Sequence, residues 1–177
     1  SYGINVFRFG SRAHHRESSC SMIEQVFGGK AGFISRAWFP HFANWRRDGY
    51  DFDSRWDEEL ATMRQKRIIA KDERFFFELK RQAGFGKGGE KNFEGTVTDL
   101  QMGSYLLIRD FRRRANKKGF PYGWHISVYS TPEALWGYDH GSSAYSVAPA
   151  ESKALTDEQI WRNFPEATQE ELDAVLG

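Results

Sequence analysis

The chain has 177 residues, 40% of them hydrophobic and 16% aromatic, which is enough apolar surface for one compact domain with appendages. Its net charge of +1 and its content of 28% charged residues argue against a disordered tail protein, and its single cysteine excludes an internal disulfide framework. No apolar run approaches the roughly 18 residues of a membrane helix and the first residues lack a signal-peptide layout, so we expect a cytoplasmic protein with no membrane partner.

The N-terminal part of the chain predicts a short strand and two helices. Alternating apolar and polar residues favour a strand over Tyr2–Phe9. Ser21 has a glutamate three residues after it, which is the spacing of a capping box and predicts a helix over Met22–Phe27. Trp38, Phe42 and Trp45 would share one face of the second helix, because they recur at spacings of four and three. Tyr50–Asp53 then predicts a turn.

Three further helices are predicted in the middle of the chain. The segment Asp57–Lys71 begins with acidic residues and ends with basic ones, an order that complements the helix dipole. Apolar residues at helical spacing predict two more helices, over Phe76–Ala83 and Lys91–Met102. The glycine-rich segment Gly84–Gly89 lies between these two and predicts a turn.

A change from helical to alternating periodicity follows near Tyr105 and predicts a β-hairpin. Its strands cover Leu106–Arg109 and Trp124–Tyr129, and the basic segment Arg112–Gly119 lies between them. Helix, helix, glycine turn, helix and hairpin is the order of a winged helix-turn-helix, so we expect an α+β, mainly helical fold with a small antiparallel hairpin. The residues predicted to form its core are Leu79, Phe93, Val97, Leu100, Ile108 and Ile126.

The C-terminal region predicts helices that are separated by a loop. Thr131 is followed by proline and marks one helix start. The segment Trp136–Ser146 is rich in glycine, serine and tyrosine, which predicts a loop. Thr156 and Thr168 each stand three residues before a side chain that completes a capping box, so they predict the starts of two terminal helices.

The predicted parts of the chain differ in charge. We divide the chain into an N-terminal region over residues 1–56, a winged helix-turn-helix domain over 57–130 and a helical extension over 131–177. Basic residues outnumber acidic ones by fifteen to seven over residues 61–125, whereas acidic residues outnumber basic ones by nine to two over 126–177. A basic middle predicts a nucleic-acid partner, and the alternative is two solvated faces that attract each other within the fold.

The predicted hairpin tip is the first candidate for contact with nucleic acid. A projecting basic tip can reach the phosphates of double-stranded DNA, where each contact adds affinity through counterion release. The alternative is a solvated charged turn. The residues predicted to contact phosphates are Arg112, Arg113, Arg114, Lys117 and Lys118, with Lys87 and Lys91 in support and Arg64 and Arg67 at the rim.

The helix predicted over Lys91–Met102 is the second candidate. Asn92 and Thr98 lie at its predicted outer face and carry side chains that can read base edges. Glu94 and Asp99 would be repelled by phosphates. The sequence therefore leaves open whether this helix reads bases, contacts only the DNA backbone or serves as a packing face.

Other kinds of site have less support from the sequence. The glycine-rich segment contains a lysine, but its spacing fits neither a dinucleotide-binding motif nor a P-loop. His14, His15, Glu17 and Cys20 are residue types that bind zinc, but their spacing matches no structural zinc pattern. We therefore expect no metal and no cofactor. Winged helices often act as dimers, so a homodimer is one possible state, which nothing in the sequence specifies.

Several segments together resemble a known family. These segments are Gly29–Phe33, Phe39–Phe42, Tyr50–Asp53, Phe77–Gly84 and Thr98–Met102. They resemble the winged-helix proteins related to the bacterial interstrand-crosslink-repair DNA glycosylases, the AlkZ/YcaQ-like family, over most of residues 29–130. The resemblance implies a fold of winged-helix motifs, binding to duplex DNA and a link to DNA repair.

The resemblance also implies a candidate catalytic residue. Active glycosylases of this family use a Q-apolar-Q or Q-apolar-D motif to position the water that attacks the sugar, and the nearest match here begins at Gln101. Because Gly103 replaces the second polar residue, the chain looks like a short relative that keeps the binding architecture. Two alternatives remain: a DNA glycosylase that acts on alkylated bases through Gln101, and a protein-interaction module whose acidic residues 126–177 bind a basic partner or mask the hairpin.

Overall fold

The computed structural model describes residues 20–27, 30–71 and 74–177. The strand predicted over Tyr2–Phe9 and the possible zinc ligands His14, His15 and Glu17 lie outside these ranges. The strands in the described chain are β1 (Cys20–Phe27), β2 (Lys30–Ser35), β3 (Arg74–Phe75), β4 (Leu107–Ala115) and β5 (Pro121–Ser130). The helices there are α1 (Phe39–Arg46), α2 (Phe52–Asp57), α3 (Met63–Ile69), α4 (Phe76–Gln82), α5 (Phe93–Met102), α6 (Pro132–Trp136), α7 (Tyr138–Ser142), α8 (Pro149–Asn163) and α9 (Gln169–Leu176).

The strands form one antiparallel sheet in the order β2-β1-β4-β5-β3. The predicted hairpin is present as β4 and β5, and the short strand β3 pairs with the far side of β5. The helix predicted over Met22–Phe27 is wrong, because these residues belong to strand β1, which pairs with β2 and, at Met22, with β4. A capping-box spacing reports only a local preference, and pairing on both sides of β1 overrides it.

The helix predicted over Asp57–Lys71 is confirmed only as the shorter α3, and α2 ends at Asp57, where the prediction began. The carboxylate of Asp51 accepts a hydrogen bond from the backbone N–H of Ser54 at 2.7 Å and so begins α2 in the segment predicted as a turn. Helix α3 begins separately at Thr62, which forms a capping box with Gln65. Between them Glu59 has a φ of 58°, in the left-handed region that interrupts a right-handed helix.

The C-terminal predictions are partly confirmed. Thr131 caps α6 and Thr168 forms the capping box that begins α9, both as predicted. The predicted loop over Trp136–Ser146 contains the short helix α7. Thr156 does not begin a helix: it lies inside α8, where its hydroxyl donates to the carbonyl oxygen of Ser152 one turn earlier.

Two hydrophobic clusters flank the sheet. The first contains most of the predicted core, with Leu79, Phe93, Val97, Leu100 and Ile108 buried, whereas Ile126 is only half-buried. The second is formed by Ile34, Phe39, Phe42, Ala43, Leu107 and Leu176. Strand β4 therefore sends neighbouring residues into both clusters, as expected of a strand whose side chains alternate between two covered faces. The α+β, mainly helical class predicted from the sequence is confirmed.

A buried arginine connects α1 to the C-terminal helices. The guanidinium of Arg47 donates to a carboxylate oxygen of Glu133 and to the hydroxyl of Tyr145, both at 2.9 Å, and to the carbonyl oxygen of Ser104 at 2.8 Å. Burial alone would lower the pKa of Arg47, but the nearby groups of Glu133 and Tyr145 outweigh it and raise the pKa. The end of α5 is thereby fixed against α1 and α6. No helix in the described ranges has the length and apolar character needed to cross a bilayer.

Candidate nucleic-acid interface

The β4–β5 hairpin extends well beyond the hydrophobic core. Leu107, Ile108, Val128 and Tyr129 are buried at its base, whereas every residue over 112–125 is exposed. The sheet therefore holds one end of the hairpin rigidly and leaves the other end in solvent. This arrangement positions the basic residues of the hairpin as a projection from the domain surface.

The turn at the tip of the hairpin has a fixed geometry. The side-chain oxygen of Asn116 accepts hydrogen bonds from the backbone N–H groups of Lys118 at 2.9 Å and Phe120 at 3.1 Å. The backbone N–H of Gly119 donates to the carbonyl oxygen of Asn116, which closes a four-residue turn, and Gly119 has a φ of 84°. Lys117 and Lys118 are the two central residues of this turn, where side chains have the most access to a ligand.

The five basic residues over 112–118, in the exposed part of the hairpin, differ in their surroundings. Arg112 forms an ion pair with Asp110 at 2.6 Å, and the guanidinium of Arg114 lies 4.8 Å from the centre of the Phe77 ring. Arg113, Lys117 and Lys118 are exposed and form no ion pair with another residue of the described chain. These three cations are the ones that a phosphate group can approach without displacing a protein partner.

The glycine-rich turn presents one more cation. Gly86 and Gly88, with φ values of 125° and 79°, flank Lys87, which is exposed at the turn. Phe85 is buried and packs its ring 5.1 Å from that of Phe93, so the start of the turn is anchored to α5. Lys91 follows the turn and is also exposed.

The outer face of α5 is not basic. The carboxylate of Glu94 pairs with Lys80 at 2.9 Å, and this hydrogen bond is the main reason that its pKa lies below the usual value. Asp99 is exposed and Thr98 is half-buried. Asn92 adopts a left-handed conformation, and its amide lies so close to α5 that a Cβ at residue 95 would collide with it. This helix offers few donors to base edges.

The two arginines predicted at the rim are held by an acidic side chain. Glu90 accepts a hydrogen bond from Arg64 at 2.9 Å and lies 3.5 Å from Arg67. Both arginines are exposed, but their charge is offset locally by this carboxylate. The basic surface is therefore concentrated on the hairpin and the glycine-rich turn.

Comparison with known proteins gives one match. A family model described as AlkZ related matches residues 24–177. The chain belongs to the AlkZ-related family. No curated protein sequence and no solved structure matches the chain. The family resemblance recognised in the sequence is confirmed, and the match extends past it through the C-terminal helices.

The candidate catalytic residue of this AlkZ-related protein lies in the core. Gln101 is only 2% exposed, and its amide nitrogen is buried without a hydrogen-bond partner in the described structure. A water-positioning side chain must reach a substrate, and in this conformation Gln101 reaches none. Within the described ranges, no cluster of three or more histidine, cysteine, aspartate or glutamate residues is placed to hold a metal ion.

Sequence reasoning missed the aromatic side chains of the hairpin. Its alternating pattern placed Trp124 on the same face as Val128, yet Trp124 is 91% exposed and Val128 is buried. Trp124 lies where the hairpin has left the core, and the strand is also irregular there: the register of β4 and β5 shifts between Arg112 and Arg114, and Gly123 has a φ of 73°. A glycine inside a strand pattern is the signal that could have predicted the irregularity.

Proposed function

We propose that this AlkZ-related protein binds duplex DNA by contacting the phosphate backbone with its β4–β5 hairpin. The observation that carries the proposal is the exposure of Arg113, Lys117 and Lys118 on a rigidly held projection, with no ion pair inside the described chain. Lys87 and Lys91 extend the same basic surface near the start of α5. The family relation supports a role associated with DNA repair.

The order of elements also supports this proposal. Helix α3, strand β3, helices α4 and α5 and the β4–β5 hairpin follow one another as in a winged helix-turn-helix domain, in which the hairpin is the wing. In such domains the last helix enters the major groove. Because the outer face of α5 carries Glu94 and Asp99, we infer that it contributes backbone contacts and little base reading, with Lys91 nearest to phosphate.

Part of the acidic charge of the C-terminal region is paired within the fold. Glu133 pairs with Arg47, and Lys153 pairs with both Asp157 and Asp173. These contacts join the C-terminal helices to one another and to Arg47 at the end of α1, and they leave Lys117 and Lys118 exposed. They favour the DNA-binding proposal over a module whose acidic residues mask the hairpin.

Salt-dependent binding tests the proposal directly. The triple variant Arg113→Gln, Lys117→Gln, Lys118→Gln should bind a duplex more weakly than the unchanged protein. The slope of log K against log salt should become shallower by about two to three, because each phosphate contact contributes about 0.9 to that slope. The measurement is fluorescence anisotropy of a labelled duplex at several salt concentrations.

A charge-matched control separates the hairpin from a general effect of charge. The triple variant Arg36→Gln, Lys71→Gln, Arg162→Gln removes the same charge from positions outside the hairpin and should leave the slope nearly unchanged. Equal losses in the two variants, or an unaltered slope in the hairpin variant, would contradict the proposed contact.

A further inference from the structure

Large aromatic side chains are exposed on and beside the hairpin. Trp124 is 91% exposed, and Phe120, Tyr122 and Phe77 are each at least half exposed. Burying an aromatic side chain of this size is worth several times the thermal energy, so a group of them left in water marks a binding surface. Phosphate contacts by lysine and arginine make no use of these rings.

The backbone beside Trp124 departs from a regular strand. Gly123 has a φ of 73°, which L-residues rarely adopt, and no atom lies within 4 Å of the position that its Cβ would take. Glycine is therefore required at residue 123 by its backbone conformation and not by lack of space. The Gly123 backbone and the register shift between β4 and β5 together make this part of the strand irregular. Irregularities of this kind turn side chains away from the directions they take in a regular strand.

The surroundings of two of these rings, Phe77 and Tyr122, are suited to a nucleotide. A groove of about 500 Å³ separates α4 from the hairpin and is lined by aromatic side chains, by two arginines and by one glutamate. Its lining residues are Phe75, Phe77, Glu78, Arg81, Arg114, Ala115 and Tyr122. Arg114 lies over the ring of Phe77, so a flat cation and flat apolar rings face the same space. Flat rings stack on bases, and guanidinium groups bind phosphates.

Only unpaired bases provide the faces that these rings need. In a closed duplex both faces of each base are covered by its neighbours, whereas an open or single-stranded segment exposes them. We propose that the hairpin recognises unpaired bases in DNA, with Trp124 and Tyr122 as stacking surfaces and Arg81 and Arg114 at the adjoining phosphates. This inference rests on the proposed DNA binding and specifies the class of DNA that is preferred.

Three oligonucleotides of equal length test the preference: a duplex, a duplex with a central stretch of unpaired bases, and a single strand. The full chain should bind the opened duplex at least about fivefold more tightly than the closed one, because stacking of one base on an aromatic ring commonly contributes this much. Trp124→Ala should bring the ratio of the two affinities close to one. Trp124→Phe should retain most of the preference, because it keeps a ring.

The control variant is Trp161→Ala, at a partly exposed tryptophan on α8, far along the chain from the hairpin, and it should keep the full preference. Equal affinity of the unchanged protein for open and closed DNA, or a preference that survives Trp124→Ala, would overturn the inference. Salt-dependent duplex binding without that preference would leave the proposed function standing. Failure to bind any of the three oligonucleotides would overturn both proposals.

Discussion

Arg47 shows how a single charged side chain can join distant parts of the chain. Its side chain has no exposed surface, yet it bonds to Glu133, to Tyr145 and to the carbonyl of Ser104, and its guanidinium lies 4.5 Å from the ring centre of Tyr105. A buried cation is stable only when its partners replace the lost water. Each of these partners would in turn lose a hydrogen bond if the arginine were removed.

The variant Arg47→Met should therefore be strongly destabilised. Methionine fills similar space, but it leaves the carboxylate of Glu133 and two other polar groups without their partner. Breaking a buried pair in this way costs about 3–5 kcal/mol. Urea unfolding followed by circular dichroism measures the loss.

An exposed ion pair provides the comparison for Arg47. Arg162 pairs with Glu158 at 2.6 Å on the surface of α8, and both side chains are more than half exposed. Arg162→Met should change the unfolding free energy by no more than about 0.5 kcal/mol. Similar losses of unfolding free energy in the two arginine variants would show that burial does not determine how much these ion pairs stabilise the protein.

At the scale of one element, the hairpin tip depends on Asn116 more than on packing. Two backbone N–H groups of the turn donate to its side chain, and no buried residue lies near it along the strand. Asn116→Ala should leave the global unfolding midpoint nearly unchanged, because the tip contributes little to either core cluster. It should speed amide hydrogen exchange at Lys118 and Phe120, since both amides lose their acceptor.

The same variant should weaken duplex binding a few-fold without changing the charge of the protein. A looser turn presents Lys117 and Lys118 in more conformations, and ordering them on DNA then costs entropy. Asn163→Ala is the matched control, because Asn163 also bonds to backbone, at the exposed end of α8. If Asn116→Ala bound the duplex as tightly as the unchanged protein, Lys117 and Lys118 would be shown to contact DNA without a fixed turn.

Elements with local signals were the ones that the sequence predicted well. The capping box at Thr168 and the glycine-rich turn before α5 depend on residues within a few positions of each other, and both are present. The same local signal misled at Ser21 and at Thr156. Strand pairing with β2 and β4 governs the first segment, and an earlier helix start at Pro149 governs the second. The pairing of β1 with β4 is a long-range contact that leaves no mark in a short window of sequence, whereas Thr156 was misread because the helix had already begun at Pro149.

In the candidate interface, too, the features with a local signal were predicted and those that depend on the fold were not. Its cations were predicted because a basic run between two apolar alternations is visible in the sequence. The exposure of Trp124 was not predicted, because it depends on where β4 and β5 leave the core and on the backbone of Gly123. The burial of Gln101 depends likewise on the packing of α5 against the sheet.

At the scale of the whole molecule, the sheet joins the parts that the sequence divided. The second hydrophobic cluster takes Phe39 from the N-terminal region, Leu107 from the central one and Leu176 from the C-terminal helix. Strand β4 contributes Leu107 to this cluster and Ile108 to the other. Because Leu107 and Ile108 are adjacent in the chain, a change in the packing of one cluster moves the strand that the other cluster packs against.

We therefore expect one cooperative unfolding transition. Leu107→Ala and Ile108→Ala should each lower the unfolding free energy by about 2–5 kcal/mol, as is usual when a large buried side chain is truncated. In both variants, far-ultraviolet and near-ultraviolet circular dichroism should report the same urea midpoint. Leu60→Ala, at an exposed leucine, should have little effect. Separate midpoints for the two signals would instead reveal independently folding parts.

The exposure of Trp124 has an optical consequence. The indoles of Trp38, Trp45, Trp56 and Trp136 are shielded to a greater degree by the fold, so Trp124 is the one most open to small collisional quenchers such as acrylamide. The protein consequently carries an intrinsic reporter at its projecting end. The fluorescence of that indole will change when a molecule binds against the ring, so binding can be followed without a dye or a label.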